Sequence, residues 1–107
     1  MIIGFLREND EFENRSMLLV EHVSLLTKLG FKVLISSEYG KKLNLQDSLF
    51  ESFGAEVKSE NDIAKISDIV VKISGKDLEK FDFKKKSIII TAFFDKNNSE
   101  YIKIKLK

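Results

Sequence analysis

Arg15 stands in the stretch ENDEFENRSMLLV (residues 8–20), where Glu8, Asp10, Glu11 and Glu13 crowd ahead of an apolar run. Of the eighteen basic residues in the chain, only Arg7 and Arg15 are arginines. A guanidinium presents a rigid planar fork of donors suited to carboxylate or phosphate, whereas a lysine is a flexible point charge, so Arg15 is a candidate ligand grip. The plainer alternative is a surface arginine screened by Glu11 and Glu13, because exposed ion pairs are common and weak. Lys72 is the second unusual group. It interrupts the apolar run DIVVKI (68–73) near its carboxyl end, where a charge is costly unless it reaches water, a partner or a ligand. Snorkelling to solvent is its structural alternative.

Other chemistry is thinly supplied. Neither G-x-G-x-x-G nor G-x-x-x-x-G-K-[ST] occurs, so the chain lacks the glycine-rich turns that let a backbone approach a pyrophosphate, and it is not expected to hold a dinucleotide alone. With no Cys there is no disulfide framework, thiolate metal site or cysteine nucleophile, and the single His22 cannot assemble an imidazole metal cluster. His22 lies inside a helical pattern with no Ser or Asp placed to form a recognisable triad, which favours a packed or half-buried residue over a catalyst. The run KKK at 84–86 reads as a solvated turn. With a net charge of +1 the chain has no broad basic field for nucleic acid, and without a basic groove the phenylalanines at 81, 83, 93 and 94 are core or interface rather than stacking platforms.

Positioning these groups falls to a regular alternation of elements. Apolar, β-branched and aromatic runs of strand length recur at 2–6 (IIGFL), 31–35 (FKVLI), 55–57 (AEV), 68–73 (DIVVKI) and 87–94 (SIIITAFF). Between the first two, Leu19, Val23 and Leu26, with Leu18, His22, Leu25 and Leu29, recur at three- and four-residue spacing in a helix closed by Gly30. LQDSLFESFG forms a shorter helix with Leu49, Phe50 and Phe53 inward and Gly54 as its stop. Ser59 and Asp62 stand at capping-box spacing before a third helix carrying Ile63 and Ile66. Strands with near-continuous apolar cores, separated by helices, imply a parallel sheet covered on both faces: a doubly wound, Rossmann-like α/β three-layer sandwich of about five strands. The tail EYIKIKLK alternates apolar residues with lysines in a two-residue period suited to an edge strand, with a final helix as the alternative.

At 107 residues the chain fits one domain with a real core, and 43% hydrophobic with a third charged residues is ordinary globular composition. The opening MIIGFLREND reaches a charge after six positions, too soon for a signal-peptide core or a bilayer span, so the expected location is cytoplasmic.

Taken in order, ENR at 13–15, LGFKVLI at 29–35, FESFGAEV at 50–57, SDIVVKIS at 67–74 and SIIITAFF at 87–94 form a familiar succession. It resembles the N-terminal domain shared by alanine dehydrogenases and the alpha subunit of proton-translocating NAD(P) transhydrogenase, over residues 1 to 95. The resemblance implies a domain that packs on a separate dinucleotide-binding Rossmann domain, with the active cleft between them. It places Arg15 on the arginine of an E-x-R-V-A-type motif and Lys72 on the first lysine of an L-K-V motif. Ser74 falls where alanine dehydrogenases carry a second, substrate-binding lysine, and Phe94 where they carry the catalytic histidine. Transhydrogenase alpha subunits share both departures, so that branch is the nearer one. Prolines usual at the positions of Leu6, Val20 and Lys76 are absent.

Two functions follow from the resemblance. In one, the chain is the N-terminal subdomain or fragment of a transhydrogenase alpha subunit, inactive alone, with no catalytic residue, cofactor-binding residue or metal of its own; NAD(H) is implied for the full assembly, and the membrane is reached only through partner subunits. In the other, it is a stand-alone noncatalytic binding module. A fragment of an alanine dehydrogenase is a third reading. The face turned toward the missing domain is expected to be apolar or covered in a homodimer. In a sheet of order 3-2-1-4-5, Arg15 and Lys72 should converge at the crevice between the first and fourth strands, within about 10 Å, with an anion or a carboxylate such as Glu8 or Glu13 between them.

Overall fold

The computed structural model describes residues 1–8, 18–73, 78–94 and 100–106, with 92–94 and 100–106 described at the level of the backbone. Six strands form one sheet: β1 (Ile2–Phe5), β2 (Lys32–Ser36), β3 (Glu56–Lys58), β4 (Ile69–Lys72), β5 (Ile88–Phe94) and β6 (Glu100–Leu106). The order is β3-β2-β1-β4-β5-β6. The first five are parallel, in the order expected from the sequence, and β6 runs antiparallel to β5 from Ile88↔Leu106 to Phe94↔Glu100. The lysine-alternating tail is thus the edge strand rather than a helix.

Among the described residues, three α-helices connect the parallel strands from β1 to β4: α1 (Val20–Lys28), α2 (Asp47–Ser52) and α3 (Glu60–Ile66). Because side chains alternate across a strand, the sheet has two apolar faces. On one, Ile3, Phe5, Val33, Ile35 and Val71 pack with Val23 of α1 and Phe50 of α2. On the other, Leu34 and Val70 pack with Ile63 and Ala64 of α3 and with Leu6 and Phe81. The parallel crossovers therefore change sides between β1 and β4, and the three layers are complete.

Local sequence explains the helix ends. Ser59 Oγ accepts the Asp62 backbone N–H at 3.1 Å, capping α3 as the Ser59/Asp62 spacing implies. Gly30 and Gly54 adopt φ of +96° and +114°, the left-handed conformation that ends α1 and α2. Gly4 has a different role. A Cβ there would lie 2.4 Å from Ile63 Cγ2 and 2.5 Å from Ser67 Oγ, so α3 seats directly on the β1 backbone.

Some expected inward residues face water. In α2 only Phe50 is buried, at the end of an edge-to-face series with Tyr39 and Phe5, while Leu49 and Phe53 are more than a third exposed. A six-residue helix has fewer than two turns, and one inward residue uses up the face it can present. In α1, Val23 is buried and Leu26 packs against the core, but Leu25 and Leu29 are more than half exposed. His22 is exposed rather than packed: its Nδ1 accepts the Leu19 N–H at 3.2 Å, closing the first turn. The lysines at 84–86 are exposed, as a solvated turn requires, and Phe81 and Phe83 belong to the core on the α3 side.

Candidate functional site at the carboxyl edge of the sheet

The site is built from the way the chain leaves β1. Leu6 donates to the Val71 carbonyl at 3.0 Å, extending the β1–β4 pairing by one residue. Arg7 then donates its N–H to the buried Ser36 Oγ at the end of β2, 2.8 Å away. This fixes the backbone above three strand ends. The next residue, Glu8, reaches across to β4.

Lys72 is the last residue of β4 and lies on the face shared with Val70, beside Thr91 in register on β5. Its Nζ donates to Glu8 Oε1 at 3.0 Å, and the Ile73 N–H donates to Glu8 Oε2 at 2.9 Å. One carboxylate therefore bridges an ammonium and a main-chain donor. The side chains are 1% and 7% exposed, so Lys72 does not snorkel to water; its charge is met inside the protein. A carboxylate that accepts from a cation and from an amide at once makes charge-assisted bonds on both oxygens, the pattern proteins use to hold carboxylate ligands.

Around this buried pair the charges are looser. The Arg7 guanidinium lies 3.5 Å from Glu38 and 3.7 Å from Glu60, with its side chain 40% exposed, beyond good hydrogen-bond length. Lys41 pairs with Glu38 at 3.3 Å. A wide depression of about 540 Å³ in the β2–α2 connection is lined by Glu38, Lys41, Asn44, Leu45, Gln46 and Asp47. It includes neither Lys72 nor Glu8. Two of these lining residues are joined directly, Asp47 accepting the Glu38 N–H on both oxygens.

At the opposite, amino edge, Asp68 accepts from the Ile2 N–H at 2.8 Å and from Lys84 Nζ. The hydrogen bond from Ile2, then that from Lys84, holds its carboxyl below the ordinary range. This cluster ties β4 to β1 at the end remote from Lys72.

Of the two candidate ligand residues, Lys72 sits at the switch-point edge, while Arg15 lies outside the described residues, as do Glu13, Ser74 and Lys76. Phe94 ends β5 at the same edge, with its backbone alone described. The charge in an apolar strand signalled Lys72. The signal for Glu8 was its place two residues past a short first strand, next to the crevice where Lys72 needed a counter-charge.

A parallel sheet whose crossovers reverse between β1 and β4, with a buried ion pair at the carboxyl ends of those two strands, defines a Rossmann-like α/β domain with a polar switch point. Comparison with known proteins makes this specific. The chain belongs to the family described as Alanine dehydrogenase/PNT, N-terminal domain, which it matches over residues 4–105. It is 30% identical over 104 residues to the NAD(P) transhydrogenase subunit alpha of Haemophilus influenzae, an alignment covering 96% of this chain and 20% of that subunit. Among solved structures it superposes on the transhydrogenase from Sinorhizobium meliloti with a TM-score of 0.75 and 26% identity, over 92% of this chain and 30% of the other. An L-alanine dehydrogenase shares the fold at TM-score 0.71 and 20% identity, over 92% of this chain and 35% of that one. The chain thus spans about a fifth of the length of the curated relative it matches. Among the described residues, no helix is long and apolar enough to cross a membrane.

Proposed function

We propose that this chain works as the noncatalytic N-terminal domain of a transhydrogenase-type alpha subunit, lending a charged sheet edge to a cleft whose dinucleotide is held by another domain. The complete assembly would transfer hydride between NAD(H) and NADP(H), and this domain alone would not. The observation that carries the reading is the Glu8 bridge. The two buried donors at the switch point, Lys72 Nζ and the Ile73 N–H, are turned to a carboxylate of the same chain rather than presented to a phosphate. A pyrophosphate also requires close backbone approach at a glycine-rich turn. The chain has no such motif, and Gly4 is occupied in seating α3. On this reading NAD(H) is held by the other domain of the assembly and not by this one alone.

Within that cleft, Arg15 and Lys72 form the grip proposed for an anionic or carboxamide-bearing ligand. The test is turnover. Purified chain incubated with NADPH and an oxidised NAD analogue should give no hydride transfer, and none from NADH with pyruvate. Mixed with the dinucleotide-binding remainder of the Haemophilus influenzae subunit, it should co-sediment as a complex. Turnover by the chain alone would overturn the reading, and failure to associate would favour a stand-alone binding module.

A further inference from the structure

The Glu8 bridge has the chemistry of a bound ligand, although it belongs to the protein. Its terminal atoms are a carboxylate on a two-carbon stem. They fill a niche whose polar walls include a lysine Nζ at 3.0 Å and a main-chain N–H at 2.9 Å, with Lys72 1% exposed. A lysine committed to the end of an apolar strand and sealed from water is expensive unless an anion accompanies it. Any of several surface carboxylates could have screened it from outside. Here the anion is inserted from the segment that leaves β1, with one oxygen on each donor, and the pair is sealed from water.

We propose that Lys72 and the Ile73 N–H form a carboxylate-binding niche that the chain keeps closed with its own Glu8, so that a small carboxylate ligand enters only when Glu8 is displaced. This inference rests on the assignment of Lys72 to a ligand grip, and it adds that the grip is self-occupied. Glu8 is then a gate: the unmodified domain excludes free carboxylates at Lys72, and removing the Glu8 side chain turns the niche into an open receptor for them.

Acetate is the natural probe, because its methyl and carboxylate reproduce Cγ, Cδ and both oxygens of Glu8. Glu8→Ala should unfold at a lower temperature than the parent chain and be restored by sodium acetate in a saturable way. At one hundred times the dissociation constant the rise in Tm should be roughly 10 °C. Sodium chloride at equal ionic strength should not reproduce it. The parent chain and Glu8→Gln, whose niche is still filled, should respond to acetate no more than to chloride. The double variant Glu8→Ala with Lys72→Met should lose the acetate effect. If Glu8→Ala does not fold unaided, recovery of its folded far-ultraviolet circular dichroism on adding acetate reads the same event. No saturable rescue, or equal rescue in the variant lacking Lys72, overturns the proposal. So does acetate stabilising the parent chain as strongly as Glu8→Ala, since the niche would then not be closed. Such failures would leave the absence of turnover unchanged, so the two readings fail separately.

Discussion

Lys72→Met removes the cation from a pair whose side chains are 1% and 7% exposed, and the cost can be worked from that burial. Losing one partner of a buried ion pair leaves the other charge desolvated, at about 3–5 kcal/mol. Glu8→Leu leaves the ammonium stranded at the end of β4 and should cost a similar amount. The double variant Lys72→Met with Glu8→Leu removes both charges, so the desolvation cost and the attraction vanish together. Among the described residues, the Ile73 N–H then loses its acceptor, at about 1–3 kcal/mol. The double variant should therefore be more stable than either single one. Urea unfolding followed by circular dichroism reads this as a midpoint lowered by roughly 2 M in each single variant, at unchanged slope, with partial recovery in the double. Single substitutions that each cost less than about 1 kcal/mol would mean a solvated pair of the surface kind. A double variant as costly as the two singles added would mean independent packing defects. In either case Lys72 and Glu8 would not be a coupled buried pair.

Three further outcomes follow from the packing. Gly4→Ala should destabilise the chain by about 1–3 kcal/mol through contact with Ile63 and Ser67, measured by the same urea unfolding, because neither the β1 backbone nor α3 can yield without loss of packing. Ser59→Ala should cost about 0.5–2 kcal/mol with loss of the bond to the Asp62 N–H, seen as faster hydrogen exchange in the first turn of α3. Asp68 has a lowered folded pKa, so its contribution is fully present above the ordinary aspartate value near 3.9 and is lost as pH falls through the folded value. A comparison of parent and Asp68→Asn across pH 2 to 7 should show their difference in Tm constant above about pH 5 and shrinking below pH 4.

Much of the architecture was legible because its signals are local. Near-continuous runs such as IIGF and IVVK can bury both faces of a strand only in a covered parallel sheet, and Gly30, Gly54 and Ser59 mark helix ends through their own backbone or side-chain chemistry. Lys72 was legible for a related reason, as a charge where the pattern demands an apolar residue. The rest depends on geometry that no short window contains. Leu49, Phe50 and Phe53 share helical spacing, but the angle at which α2 meets the sheet decides that only Phe50 goes in. His22 fits the apolar stripe by position, yet its place in the first turn gives it a capping bond and leaves the ring in solvent. Gly4 carries no local signal of its tight packing, because Ile63 and Ser67 are far away in sequence. That Glu8 reaches Lys72 follows from the Arg7–Ser36 bond, which sets the path of the chain above β2.

A domain that contributes a charged edge but no dinucleotide site of its own should be silent to dinucleotide in titration calorimetry of the purified chain. NADH or NAD injected into the chain should give only the heat of dilution, since the donors at the switch point are held by Glu8 and the glycine-rich turn is absent. A saturable isotherm with micromolar affinity would contradict the account.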